Sequence, residues 1–461
     1  MNGASSAYAE DQTFHLTLTT DVSATDNVFG VPSDGPTEKE FDLYAQIRPG
    51  LLYNYLTPRS TYEAFAEMEI LEYIRHSDQP SVTARGGGRS SFVTGPFSNI
   101  TFAANGSTGK LAAIGVRSSP DQTEAQITPP GQVDIIQADA SHGGSWQAGR
   151  TYRFFESLSA RWSQAQPIND SATTESSEFG AGLGFEKSFE DNSFGIDVGV
   201  AYLRLLNVQF ANPDAMTPLV GRLDRQLNPR IGMSWRHDIT RNWSTGLSGG
   251  LVYVIPLWDD PYKDTNPMFL QRGRTVSPVV GGQVSYTDVW GYANLSVSRT
   301  VSPAVLIAQN TINDGVAVTV GMPLTFMEDS RGRAPRWLGL GSAGVQRTQL
   351  INASGGSPEG TFGALRIDLG VTYAVRPGMT LGGRYSIQHQ TGDAEAVMAV
   401  ASYTTNTLTF TMTMRYPERT AVRQKRNKRK HSTRADRSDV TPLEEMSPSD
   451  GGDAPIPDGY E

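Results

Sequence analysis

The chain has 461 residues and a formal charge of −9 at pH 7, with 38% hydrophobic, 19% charged and 9% aromatic residues, 47 glycines and no cysteine. That length accommodates two to four globular domains of roughly 100–200 residues each, or one large barrel. Absent cysteine excludes disulfides and thiolate catalysis or metal binding, and the acidic balance argues against nucleic acid as a partner. A membrane helix needs about 20 consecutive apolar residues; the long uncharged run Ala396–Met414 is broken by Asn406 and six threonines.

Residues 1–9 end in Ala7-Tyr8-Ala9 before Glu10, an A-x-A-like site. They read as the remnant of a signal peptide, with a polar N-terminal tail as the alternative. From Gln12 onward the dominant pattern has period two. Strands are predicted over residues 12–24, 40–56, 60–76, 80–94, 98–115, 132–148, 150–166, 176–189, 192–208, 226–239, 242–258, 276–288, 289–302, 315–327, 336–350, 361–376, 377–391 and 402–416. Clear examples in chain order are Phe41 to Tyr55, Phe194 to Tyr202, Val316 to Phe326, Leu365 to Val375 and Leu408 to Tyr416, each with an apolar residue at every second position save Ala45 and Pro49 in the first. Alternate strand side chains point to opposite faces, so each run has one apolar and one polar face.

These runs are longer than the usual soluble strand of about 5–6 residues and match the roughly 9–11 residues that cross a bilayer. Short turns are expected at Leu56-Thr57-Pro58-Arg59, Gln147-Ala148-Gly149-Arg150, Phe189-Glu190-Asp191-Asn192, Asp238-Ile239-Thr240-Arg241 and Arg376-Pro377-Gly378-Met379, with longer connections between them. Aromatic residues such as Tyr62, Tyr152, Phe189, Trp235, Trp243, Trp290 and Trp337 lie close to the short turns, as rings with a polar edge do at a membrane interface. Eighteen strands, an even number, fit an all-β transmembrane antiparallel barrel over residues 10–416.

The polar phase assigns a lumen face. Its candidates are Arg48, Glu63, Glu67, Arg161, Asp197, Arg230, Arg236, Arg366, Asp368, Arg384 and Arg415. Mixed charges of this kind either brace the wall or line a water-filled path. Small residues on the same phase, including Gly180, Gly182, Gly184, Gly195, Gly199 and Gly232, favour an open lumen. A search for chemistry is nearly empty. The six histidines, His15, His76, His142, His237, His389 and His431, show no metal-ligand spacing, and there is no G-x-S-x-G elbow. His142 and His389 are conceivable members of a barrel hydrolase, but a lone histidine reads by default as a polar strand or loop residue. One acidic pair, Asp26-Asn27, does not make a calcium site. No enzyme activity, cofactor or metal is expected.

Residues 417–461 carry a basic block, Arg423 to Arg437, followed by an acidic Pro/Gly/Ser/Asp stretch. With few apolar residues this segment cannot fold alone and reads as a disordered periplasmic tail. Arg426, Lys428, Arg429 and Lys430 are its candidate partner-binding residues, for a periplasmic export protein or an anionic glycan.

The opening of the chain resembles a family of outer-membrane β-barrel porins associated with capsule and exopolysaccharide export loci. The resemblance rests on Thr25-Asp26-Asn27-Val28-Phe29, Pro49-Gly50-Leu51 and Thr57-Pro58-Arg59-Ser60, and covers residues 14–76. It implies a bacterial outer-membrane location, membrane lipid and a secreted polysaccharide as partners, and translocation of that polymer as the function. A diffusion porin for small solutes and a structural or surface-binding barrel are the rival readings. The 417–461 extension departs from the many barrels that end on a final aromatic residue, a place taken internally here by Tyr416.

Overall fold

A computed structural model describes residues 11–28, 39–76, 80–112, 132–167, 172–209, 220–257, 274–304, 309–324, 336–350, 361–392 and 402–417. The expected signal remnant, His431, and the tail from residue 418 with Arg426, Lys428, Arg429 and Lys430 lie outside these residues. Eighteen strands are present: β1 (Asp11–Thr25), β2 (Asp42–Leu56), β3 (Ser60–Tyr73), β4 (Ser81–Gly95), β5 (Ser98–Ala112), β6 (Gln132–Ala148), β7 (Tyr152–Pro167), β8 (Ala172–Ser188), β9 (Asn192–Gln209), β10 (Val220–Asp238), β11 (Trp243–Pro256), β12 (Thr275–Asp288), β13 (Gly291–Ala304), β14 (Gln309–Pro323), β15 (Trp337–Leu350), β16 (Thr361–Arg376), β17 (Met379–Gly392) and β18 (Tyr403–Tyr416). Each pairs antiparallel with its sequence neighbour, and β1 pairs with β18 from Leu16↔Tyr416 to Thr25↔Thr407. The sheet therefore closes on itself and has no edge.

Alternation decides which face is outside. Phe14, Leu51, Phe179, Leu183, Ile231, Val280, Leu369 and Phe410 are exposed, on strands distributed around the whole circumference. A continuous apolar belt of this extent is far larger than the few hundred Å² that a soluble monomer exposes. No helix among the described residues is long and apolar enough to cross a membrane. A closed barrel pairs every strand backbone group internally, which is the condition for crossing hydrocarbon with strands. The fold is a transmembrane β-barrel.

One edge of the barrel is finished by tight turns. In Thr57-Pro58-Arg59-Ser60 the Thr57 side chain accepts the Ser60 N–H at 2.8 Å, and the Thr57 N–H donates to the Ser60 carbonyl at 2.8 Å. Gly149 and Gly378 occupy turn positions with φ of 70° and 78°, a left-handed conformation that glycine adopts without steric cost. Rings gather at the same edge. Tyr55–Tyr62, Tyr152–Phe185, Trp243–Tyr286 and Trp337–Tyr373 have centroids 5.8, 5.8, 4.7 and 4.5 Å apart.

Most boundaries shift by one to four residues from the sequence reading, among them the start of β8 at Ala172 rather than 176; the larger differences are at β10 and β14. β10 begins at Val220 rather than 226, because charged residues that look like loop pair with β9 from Val220↔Gln209 onward. β14 begins at Gln309 rather than 315, where polar Gln309–Asp314 still pairs with β13. β14 then ends at Pro323 and β15 starts only at Trp337, on the edge otherwise closed by tight turns, and residues 325–335 lie outside the described residues. The two ends are joined by Leu324 N–H donating to the Trp337 carbonyl at 2.9 Å.

Of the Thr25–Phe29 element, Thr25–Val28 are described and lie at the seam, while Phe29 is outside the described residues. The Asp26 carboxylate accepts the Asn406 backbone N–H at 2.7 Å and its side-chain amide at 2.6 Å, while Asn27 Nδ2 donates to the Thr404 carbonyl at 3.2 Å. Val28 packs with inward-facing Tyr44, Leu71 and Tyr73. Asp26 and Asn27 thus tie the end of β1 to β18, which accounts for both side chains without a cation.

Candidate functional site

The strand phase opposite the apolar belt forms the inner wall. Arg48, Glu63, Glu67, Arg161, Asp197, Arg230, Arg236, Arg366, Asp368, Arg384 and Arg415 all occupy that phase. They do not converge on one centre. Most are distributed around the wall in lateral pairs.

On the seam side, Arg48 donates to Asp21 at 2.5 Å, with Asp21 fully buried. Asp368 accepts from Arg366 Nε at 2.7 Å and lies 3.9 Å from Arg384 Nε. On β3 and β4, Arg85 donates to Glu67 at 2.9 Å, and Arg89 stands opposite Glu63 in register. Arg161 stands opposite Asp139, which also accepts from Asn105 at 3.1 Å. Between the charges the wall is hydroxyl and amide: Ser23–Thr409 at 2.9 Å, Ser163–Ser176 at 2.7 Å, and Thr348 donating to Asn313 at 2.7 Å. Pairing across the wall cancels much of the charge that the inner face would otherwise present to a solute.

Exposure is uneven around the circumference. Asp21, Arg48, Arg366, Asp368 and Arg384 are 1–18% exposed, whereas Arg85 is 45% and Arg236 67% exposed. Gln137, Ser141, Ser159 and Arg161 on β6 and β7 are also exposed to the interior or partly so. Water therefore reaches the wall along β4–β7 and again along β10–β13, where Arg236, Ser248, Gln283 and Ser298 are exposed, while the wall near the seam is covered. Toward the long-loop edge, inward Leu71, Leu203, Leu205, Phe362, Gln390 and Tyr403 are buried on strands around most of the barrel.

The inner glycines do not simply leave space. A Cβ on Gly199 would come 2.8 Å from Arg230 Nε, and one on Gly232 would come 2.5 Å from Asp197 Oδ1. Gly180, Gly184 and Gly195 are overlain in the same way by Ser159, Phe155 and Ser234. These glycines are seats that let neighbouring side chains lie flat along the wall.

Sequence reasoning missed Arg85 and Arg89. Gly86-Gly87-Gly88 hides the alternation there, yet two arginines four residues apart share one strand face. It also left the histidines as isolated residues. His76 pairs with Glu40 at 2.9 Å, His389 contacts Thr404 at 2.8 Å, His237 the Asp191 carbonyl at 3.1 Å and His15 the Pro417 carbonyl at 3.0 Å. His142 Nε2 lies 3.0 Å from Glu156, on the outer face of β6 and β7. Its Nδ1 is enclosed without a hydrogen-bond partner, and the next residue on its face is Gly144.

No protein-family model matches the chain, and no curated protein matches it. Among solved structures, the chain is similar to OccAB3 of Acinetobacter baumannii, with a TM-score of 0.44 and 8% identity over 88% of this chain and 100% of that one. It is similar to OccK2 (OpdF) of Pseudomonas aeruginosa, with a TM-score of 0.43 and 9% identity over 88% and 98% of the two chains. It is also similar to the siderophore receptor PirA of Pseudomonas aeruginosa, with a TM-score of 0.40 and 9% identity over 87% and 80%.

Proposed function

We propose that the protein is a bacterial outer-membrane channel that passes a hydrophilic carbohydrate polymer outward. The observation that carries this reading is the inner wall: a closed barrel with an apolar exterior and an interior of hydroxyls, amides and laterally paired charges. Sugar hydroxyls exchange hydrogen bonds readily with such a wall, and paired charges neither trap nor repel a weakly charged polymer. The resemblance over residues 14–76 supplies the polysaccharide. A second reading, a diffusion porin for small solutes, is favoured by the buried inward residues near the long-loop edge, which narrow the path on most sides.

A size series separates the two. Liposomes containing the full chain are loaded with labelled saccharides from disaccharide to long polymer, and efflux is followed. Polymer efflux above that of empty liposomes fits export; efflux confined to the smallest sugars fits the porin.

The tail is assigned to the periplasm in this reading, where Arg426, Lys428, Arg429 and Lys430 recruit an export protein. Exposed basic charges attract over about 8–10 Å at physiological salt, so capture should weaken as salt rises. Deleting residues 420–461 should leave the barrel at its normal level in the membrane but lower polymer secretion and partner co-purification. Charge reversal at the four basic positions should do the same. Unchanged secretion in both variants would make the tail a passive extension.

A further inference from the structure

The lipid-facing surface of β3–β7 differs from the rest of the belt. One lateral row across these strands reads Ala64, Gly88, Ala104, Ala140 and Ala160. The next row toward the tight turns reads Tyr62, Ser90, Phe102, His142 and Leu158. The loss of side-chain volume along the first row opens a groove of about 770 Å³ on the outside of the barrel. Beside it stands a ridge, with Leu158 54%, Phe179 57% and Leu183 62% exposed.

An ionisable pair lies between groove and ridge. His142 packs its ring 4.8 Å from that of Phe102 and bonds Glu156 at 3.0 Å. Glu156 reaches it by crossing Gly144, where a Cβ would come 2.9 Å from the carboxylate oxygen. On the same face, Trp146, Tyr152 and Phe154 lie between the pair and the tight turns. The pair is therefore on the mid-membrane side of the aromatic girdle. Ionisable groups facing hydrocarbon are costly and are seldom left there without a partner. Here the two side chains partner each other, and a membrane-embedded polypeptide seated in the groove covers the pair further from lipid. Small residues are what let two such polypeptides approach closely.

We propose that this surface is the contact between two copies of the chain, related by a two-fold axis along the membrane normal. A two-fold contact must be self-complementary. Here the groove on β3–β6 is adjacent to a ridge on β7–β8, so each copy's ridge enters the other's groove. His142 and Glu156 lie near the axis, where each copy's ion pair is covered by the other copy. The contact uses only the outer face and stands apart from the transport reading.

The absence of native cysteine makes the test clean. Leu158→Cys should give a disulfide-linked dimer in native membranes under mild oxidation. Leu369→Cys, nine strands away across the barrel, should stay monomeric. In mild detergent the full chain should sediment as a dimer. Ala140→Trp, which fills the groove, should raise the concentration at which it dissociates at least tenfold, and Glu156→Gln should raise it in the same direction. Heat-modifiable gel migration and channel conductance should be unchanged in both, which shows that the barrel is folded. A wild-type chain that is monomeric in detergent and uncrosslinked at Leu158→Cys overturns the proposal. So does equal crosslinking at Leu369→Cys. A monomer that retains a phospholipid displaced by Ala140→Trp also overturns it and makes the groove a lipid site.

Discussion

Asp21 and Arg48 show how individual residues fix this wall. Each is covered, and the two meet at 2.5 Å. Removing one partner of a buried pair leaves an uncompensated charge, at a cost of about 3–5 kcal/mol. Asp21→Ala should therefore lower the denaturant midpoint of the detergent-solubilised barrel, and adding Arg48→Met should recover much of the loss. Face matters as much as partner. Leu369→Arg and Phe410→Arg should impair insertion, because arginine on the lipid face costs about 2–4 kcal/mol near the midplane. The same change at Thr372 or Thr411, on the inner phase, should insert at near-normal levels. The phase of most residues was legible in the sequence because period two is a local signal, the exception being β4, where Gly86-Gly87-Gly88 breaks it. The partners were not: Ser23 meets Thr409 across 386 positions, and a single sequence holds no record of that register. His142 looked isolated for the same reason, since Glu156 becomes its neighbour only through the β6–β7 turn.

At the scale of elements, all eighteen strands were legible, because most are long apolar alternations bounded by turn residues and β4, interrupted by Gly86-Gly87-Gly88, still lies between two turns. What failed were the ends. Gly221-Arg222-Leu223-Asp224-Arg225 reads as loop by composition, yet β9 offers it backbone partners, and pairing overrides propensity. The turns carry their own prediction. Gly378 has φ of 78°, and a β-branched side chain there is strained by about 1–3 kcal/mol. Gly378→Val should slow refolding into bilayers without changing the final fold, as read by heat-modifiable migration. The two barrel edges are predicted to lie on opposite sides of the membrane. On intact cells an impermeant thiol reagent should label Glu40→Cys on the long-loop edge and spare Glu190→Cys in a tight turn. The reverse pattern would invert the orientation.

The whole molecule joins these effects. Closure through β1–β18 removes the sheet edge, the outer belt makes the barrel a membrane structure, and lateral pairing keeps polar side chains against the wall. Closure could be expected from an even number of amphipathic strands. Uneven lumen exposure could not, because it depends on what covers each strand face. Water and hydrophilic solutes should follow the exposed parts of the wall, including β4–β7 at Arg161. Planar-bilayer recording of the full chain with Arg161→Cys tests this most directly. The variant should show discrete conductance steps that fall when a bulky, water-soluble thiol reagent is added, while steps of the Leu369→Cys variant should not change. A folded barrel that gives no steps, or steps equally indifferent to modification at both positions, would contradict a solute path along this wall.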